Sequence, residues 1–316
     1  MGKNKTQYAN VGGQAVMEGI MMRSPKKTVM AVRTPDQSIV TEEVKFTSIR
    51  KKIKFFALPI IRGAVAFIES LILGFQTLTR SAELSGLDEE TNGNKFLESL
   101  MLIVSFVLGI GIAVGVFILL PVGIRMGLSW LIDGTTNCFG YFRSIIEGVV
   151  RIGIFVLYVF AVSRMKEIRR LFQYHGAEHK AIFCFEAGKE LTVENVRVQS
   201  RLHPRCGTSF LLITMLVSIL VYSMIPFDGA LYVLIKFALL PIIGGISFEL
   251  IQLADRYNNV CTRILSAPGK LMQMITTCDP DDDQIEVAIA ALTASLTDDG
   301  ETLDHEAAYK SEEDVK

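Results

Sequence analysis

The sequence predicts a mainly α, polytopic helical membrane protein. It has about four transmembrane helices, one re-entrant or amphipathic helix, and a small cytoplasmic α+β part. Three observations predict this. Half of the 316 residues are apolar and the mean hydropathy is +0.38, too apolar for an ordinary soluble domain. The apolar residues come in blocks: 99–124 runs 26 residues without a charge and 206–227 runs 22, where about 20 suffice to cross the hydrocarbon core. Finally, Lys and Arg are concentrated in particular loops, which orients the blocks.

Taken in order, residues 1–50 read as a cytoplasmic β-hairpin region. MGKNKTQYAN has no apolar core of the signal-peptide kind, so no cleaved signal peptide is predicted. Gly2 and Thr6 fit a myristoylation pattern, but so short a pattern arises often by chance. Strands are expected at 28–33 and 38–46 around a Pro35-Asp36 turn. VGGQAVMEGIMMRSP, residues 11–25, offers glycines for close backbone approach and the polar groups Gln14, Glu18 and Arg23. Glu18 would serve as a ligand or base and Arg23 as an anion grip. A tight turn plus a helix docked on the membrane domain is the favoured reading.

Residues 51–80 are expected as the amphipathic or re-entrant helix, because Arg62 and Glu69 interrupt an apolar run and Pro59 kinks or begins it. The four-helix domain covers 96–254: the two uncharged blocks plus 144–163 and 229–253. These last two contain Glu147, Arg151, Lys236 and Glu249. Charges at membrane depth are costly. Glu147 and Arg151 are spaced to neutralise each other, and Arg62, Glu69, Lys236 and Glu249 are expected to pair across helices or line a polar path, pairing being favoured.

Nine Lys or Arg lie between Ser163 and Arg205, against two between 125 and 143 and none in the 226–228 turn. The 164–205 loop and both termini are therefore placed in the cytoplasm. Residues 255–297 form a cytoplasmic helical region with one clear helix, capped at Asp279 with Pro280 in first position. The 298–316 tail, with its acidic run and His305, is expected to be disordered. Residues 279–316 carry −11 and the preceding 278 carry +10. A basic body suits anionic lipid, and no motif supports nucleic acid. The five cysteines form no CxxC pair, so no disulfide framework is implied.

The chemistry concentrates in YHGAEHK, residues 174–180. On a helix from Tyr174 to Ala187, ended by Gly188, His175 and His179 lie one turn apart on one face, the spacing that offers two imidazoles to one metal. The order HxxEH is the inverted metalloprotease signature, in which a glutamate acts as base; Glu178 takes that role. A third ligand must come from elsewhere, since Glu186 lies about 10 Å further along the axis. RLHPRCGTSF supplies His203, with Cys206 as a fourth. A divalent metal, zinc first, is the implied cofactor.

Five blocks in order, GGQAVMEGIMMRSP, IIRGAVAFIESLILG, YHGAEHKAIFCFE, HPRCGTSF and TTCDPDDDQIEVAIAAL, resemble the YqhQ-like family of bacterial membrane proteins. The resemblance covers residues 11–296 and implies a multi-pass protein of the bacterial cytoplasmic membrane, from a family labelled a predicted metal-dependent enzyme. The expectation is a metal-dependent, hydrolytic membrane enzyme acting on a lipid or membrane-protein substrate. A non-enzymatic membrane scaffold or assembly factor is the second reading and a transporter the third.

Overall fold

The computed structural model describes residues 11–49, 53–86, 95–132, 139–203, 206–225, 229–256 and 260–297. The myristoylation pattern, Cys138 and the acidic tail lie outside them. Four strands, β1 Gly12–Val16, β2 Gly19–Arg23, β3 Thr28–Arg33 and β4 Ile39–Glu43, pair in sequence order as an antiparallel meander. Residues 11–25 therefore form a hairpin, not a turn and docked helix. Its two-residue loop holds Glu18 at φ +49, and Val16 pairs with Gly19.

GIMM and VMAV lack the alternation of a half-exposed strand because both faces are covered. With the period of two along a strand, Ile20, Met22 and Ala31 enter one core, and Met21, Met30 and Val32 enter another. The first core is closed by α5 (Lys166–Glu186) and α10 (Asp282–Leu296) through Tyr174, Ala177, Ala181, Ile285 and Leu292. The second is closed by α1 (Ile61–Leu84) through Leu73.

The remaining regular elements among the described residues are helices. α2 (Lys95–Val114) continues through a π turn at Gly115–Leu119 into α3 (Leu120–Ile132). There follow α4 (Phe139–Val162), α5, the short α6 (Val193–Arg197), α7 (Gly207–Ser223), α8 (Gly229–Arg256), α9 (Val260–Thr276) and α10. Among the described residues, four stretches are long and apolar enough to cross a membrane: Ile61–Leu84, Ile103–Ile124, Ile145–Val162 and Leu234–Leu253. The expected 206–227 span is represented by α7, whose 17 residues fall short of that length. The amphipathic helix begins at 61, not 53, two residues beyond Pro59.

Two terminal assignments shift. α5 starts eight residues before Tyr174 and ends as read, with Gly188 at φ +65. There the Lys189 and Gly188 N–H groups bond back to Cys184 and Phe185, closing the end of the helix. α10 is capped by Asp281, not Asp279. The Asp281 carboxylate accepts the Gln284 N–H at 2.9 Å, and the Gln284 side chain accepts the Asp281 N–H at 3.1 Å. Asp279 is left to ion-pair with Lys180 at 3.3 Å.

Candidate metal centre

α5 sets His175 and His179 on one face with ring centroids 4.5 Å apart. Two other segments complete the site: the one entering α7 and the one leaving α9. The Thr276 carbonyl lies 2.8 Å from Nδ1 of His175, and the Arg201 carbonyl lies 2.5 Å from Nδ1 of His179. A carbonyl oxygen only accepts, so each Nδ1 carries the hydrogen and each Nε2 presents a lone pair. His175 Nε2 is 3.1 Å from Cys206 Sγ. His179 Nε2 is buried and makes no hydrogen bond of acceptable geometry. These three ligand atoms lie within 4.8 Å of one another. Burial lowers the His179 pKa, with Cys206 offsetting part of the effect, so the imidazole is held in the neutral form that ligates.

His203 converges on the same place but flanks it. Its ring centroid is 5.6 Å from His179 and 4.5 Å from Phe183, and its Nε2 lies 3.5 Å from Glu186 Oε2. Cys206 thus stands at the third corner, where His203 was expected first. Glu186, set aside as too far along α5, meets His203 instead.

Glu178 is buried. A β-carbon on Gly13 would lie 2.9 Å from its carboxyl carbon, so the glycine is what admits the side chain against β1. Burial raises the Glu178 pKa, while His175 and His203 pull it down, and its Oε2 makes no hydrogen bond.

The other candidates separate from this cluster. Glu18 is ion-paired with Arg170, with one contact at 2.6 Å, and accepts the Tyr174 hydroxyl at 3.1 Å. Gln14 packs on Gly74 of α1, and the Arg23 guanidinium lies 5.7 Å from the centre of the Phe46 ring. Arg62 binds Glu249 through two contacts, 2.7 and 2.6 Å, joining α1 to α8. Glu69 takes the Ser48 hydroxyl and the Ile49 N–H, each at 2.8 Å. Glu147 is shared by Arg151 at 2.8 Å and Lys236 at 2.6 Å.

Side-chain motifs gave no sign of the two carbonyls that orient the histidines, nor of Gln273, whose amide donates to the His203 carbonyl at 2.7 Å. Gln273 lies in a helix that pattern reading left undescribed. Cys184 and Cys278 are free thiols outside the cluster, like Cys206 unbridged.

A sheet lobe joined to a bundle of long apolar helices, with a His₂Cys constellation of which His179 and Cys206 are buried and His175 half-buried, defines the class of protein. The chain belongs to the family described as "Protein of unknown function (DUF1385)", whose model matches residues 58–298. It is 37% identical over 309 residues to "Uncharacterized protein YqhQ" of Bacillus subtilis (strain 168), covering 94% of this chain and 95% of that one. No solved structure matches it.

Proposed function

We propose that this chain is a metal-dependent, hydrolytic enzyme of the bacterial cytoplasmic membrane, with both termini and the site on the cytoplasmic side. The observation that supports the metal is the matched pair of carbonyls behind the two imidazoles. Both histidines spend Nδ1 on a backbone carbonyl, which fixes their tautomers and turns Nε2 toward the Cys206 sulfur. Two imidazoles and a thiol are a donor set that zinc accepts, and three protein ligands are what a catalytic site presents. A divalent ion held there would supply Lewis acidity. Glu178, with its pKa raised by burial, is the group to take up and return a proton. Arg201 and Thr276 hold the imidazoles, and His203 with Glu186 closes the adjacent side.

One observation favours the scaffold reading: Glu178 is buried against Gly13 and so braces β1. The tests separate the two. Elemental analysis of the purified protein should find close to one zinc or similar ion per chain, lost in His175→Ala, His179→Ala and Cys206→Ser. Metal-free wild type after chelator-free purification would end the metal reading. Glu178→Gln should keep the metal and abolish the function in cells. A variant that keeps both metal and function would leave the scaffold.

A further inference from the structure

We infer that α1 and α9 are half-inserted helices, seated in one leaflet of the bilayer on either side of the first turn of α7, which Cys206 directly precedes. The inference rests on the membrane reading above and extends it to a helix that the sequence placed wholly in the cytoplasm.

The path of the chain through α1 is the first observation. β4 ends in the sheet, with Val44 N–H bonded to the Thr28 carbonyl at 2.8 Å. The chain then follows α1 in reverse, giving the Ser48 hydroxyl and Ile49 N–H to Glu69. It turns at Pro59-Ile60-Ile61, where Ile61 N–H reaches the Pro59 carbonyl at 2.8 Å and Ile60 has φ +69, a tight γ-turn. α1 then climbs back, and its later turns rejoin the sheet through Leu73, Leu84 and the Arg80–Glu42 ion pair at 2.7 Å. Length and composition qualify α1 as a span, but a segment whose two ends meet the same lobe enters and leaves on one side.

The outward face of α1 marks where that side lies. Ile68, Leu71, Ile72 and Phe75 are about half exposed or more, Phe75 at 71%. Beyond Phe75 the exposed residues are Gln76, Thr79, Arg80 and Glu83. From Ile61 to Phe75 is about 21 Å of helix, short of the roughly 30 Å core.

α9 carries the same pattern. Val260, Ile264, Leu271 and Met274 form an exposed stripe at helical spacing, 59–70% accessible, while Met272, Gln273 and Thr276 are buried on the opposite face. Its last residue holds His175 by the carbonyl, so this end lies at the site. Its first follows closely on α8, whose later turns pack on the start of α1 at Gly63–Gly245 and Arg62–Glu249.

The first turn of α7 sits between the two helices. Ser209 fills the space beside Gly269 of α9, and the Phe210 ring lies 5.2 Å from Phe67 of α1. The stripes therefore flank Cys206. Exposed apolar residues stand on α2, α4 and α8 as well, at Val107, Leu157 and Leu234. A second copy of the chain covers one patch, whereas lipid covers a belt that passes over several helices.

Tryptophan scanning in nanodiscs tests this. In a Trp130→Phe background, single tryptophans replace Phe75, Ile264, Leu271, Leu240 near the middle of the α8 span, and Val198 on the sheet lobe. Lipids brominated at shallow or deep acyl positions serve as quenchers. Tryptophans at 75, 264 and 271 should lose fluorescence mainly to shallow bromines, and 240 should be quenched by deep ones. The tryptophan at 198 should keep its intensity. If 264 and 271 stay bright while 240 is quenched, protein or water covers α9 and the inference is overturned. Deep bromines quenching 264 most would make α9 a span and overturn it equally. If 240 is bright as well, the membrane reading itself has failed.

Discussion

Gly176 is a sharp test of how the site is held. A glycine inside α5 costs about 1 kcal/mol of helix propensity relative to alanine, so substitution should stabilise the helix taken alone. In the fold, a β-carbon at 176 would fall well inside van der Waals contact with the Cys278 carbonyl oxygen and 3.2 Å from its carbon. That contact is backbone against helix, so no rotamer relieves it. Ordinary contacts of a carbon lie at about 3.5–4.0 Å, so the carbonyl oxygen must move by about 1.5 Å or more. The segment that must move also gives the Cys278 N–H to Phe172 at 2.8 Å and the Thr276 carbonyl to His175. Overpacking of this kind costs about 1–3 kcal/mol or more. After the propensity gain is deducted, Gly176→Ala should be destabilised by up to about 2 kcal/mol, where Gly153→Ala keeps the gain. The His175 tautomer is loosened too, and loss of such an outer partner lowers metal affinity by about 10–100-fold. Denaturant unfolding in detergent and zinc competition against a chromophoric chelator measure the two effects. Gly153→Ala is the control, because a β-carbon there meets nothing within 4 Å. If Gly176→Ala matches that control in stability and keeps its zinc affinity, the packing account of the site is wrong.

Three further outcomes are expected. Asp281→Ala removes the α10 cap and should cost about 1 kcal/mol in the same unfolding assay, with metal content unchanged. Glu147→Ala strips the carboxylate shared by Arg151 and Lys236 in the bundle and should destabilise by about 3–5 kcal/mol, read as lost thermal stability in detergent. A fully stable but inactive variant would instead revive the transporter reading. The metal-free protein should also lose stability in acid. His179 has its pKa lowered by burial, so below the unfolded value of about 6.5 the unfolded chain binds the extra proton. Its contribution is flat above about pH 6.5 and declines below it, by at most about 1.4 kcal/mol per pH unit, until the folded pKa is reached. The difference between wild type and His179→Phe across about pH 5 to 7.5 isolates that slope.

Some of this was legible in the residues and some was not, for physical reasons. Long uncharged runs and a helix ended by glycine announce themselves, because length and φ preference are local properties. β2 was missed because a strand covered on both faces loses its alternation, and β1 because GGQAV is a short glycine-led run with no apolar period of its own. The α10 cap shifted by two residues because four aspartates crowd its start and only geometry selects which one accepts the Gln284 N–H. The His175 and His179 pair was readable from spacing alone. Which residue stands at the third corner was not, since His203 and Cys206 lie three apart on a segment whose fold decides which one turns inward.

The site's construction bears on why Gly13 and Gly176 are both glycine. Each admits a foreign group where α5 would otherwise carry or meet a β-carbon: Glu178 reaches β1 at Gly13, and the Cys278 carbonyl reaches α5 at Gly176. α5 is thus gripped from the sheet on one side and from the end of α9 on the other. The two histidines between those grips take their hydrogen-bond partners from different segments, Thr276 and Arg201. Because Arg201 also donates to the Thr277 carbonyl and Gln273 donates to the His203 carbonyl, those two segments are fastened to each other as well as to α5. A purely local motif could survive loss of the bundle. This one joins the sheet lobe, α9 and the entry to α7, so a change that tilts α9 relative to α7 must reach the imidazoles through Thr276. In a half-inserted α9, the state of the surrounding leaflet bears on the same carbonyl.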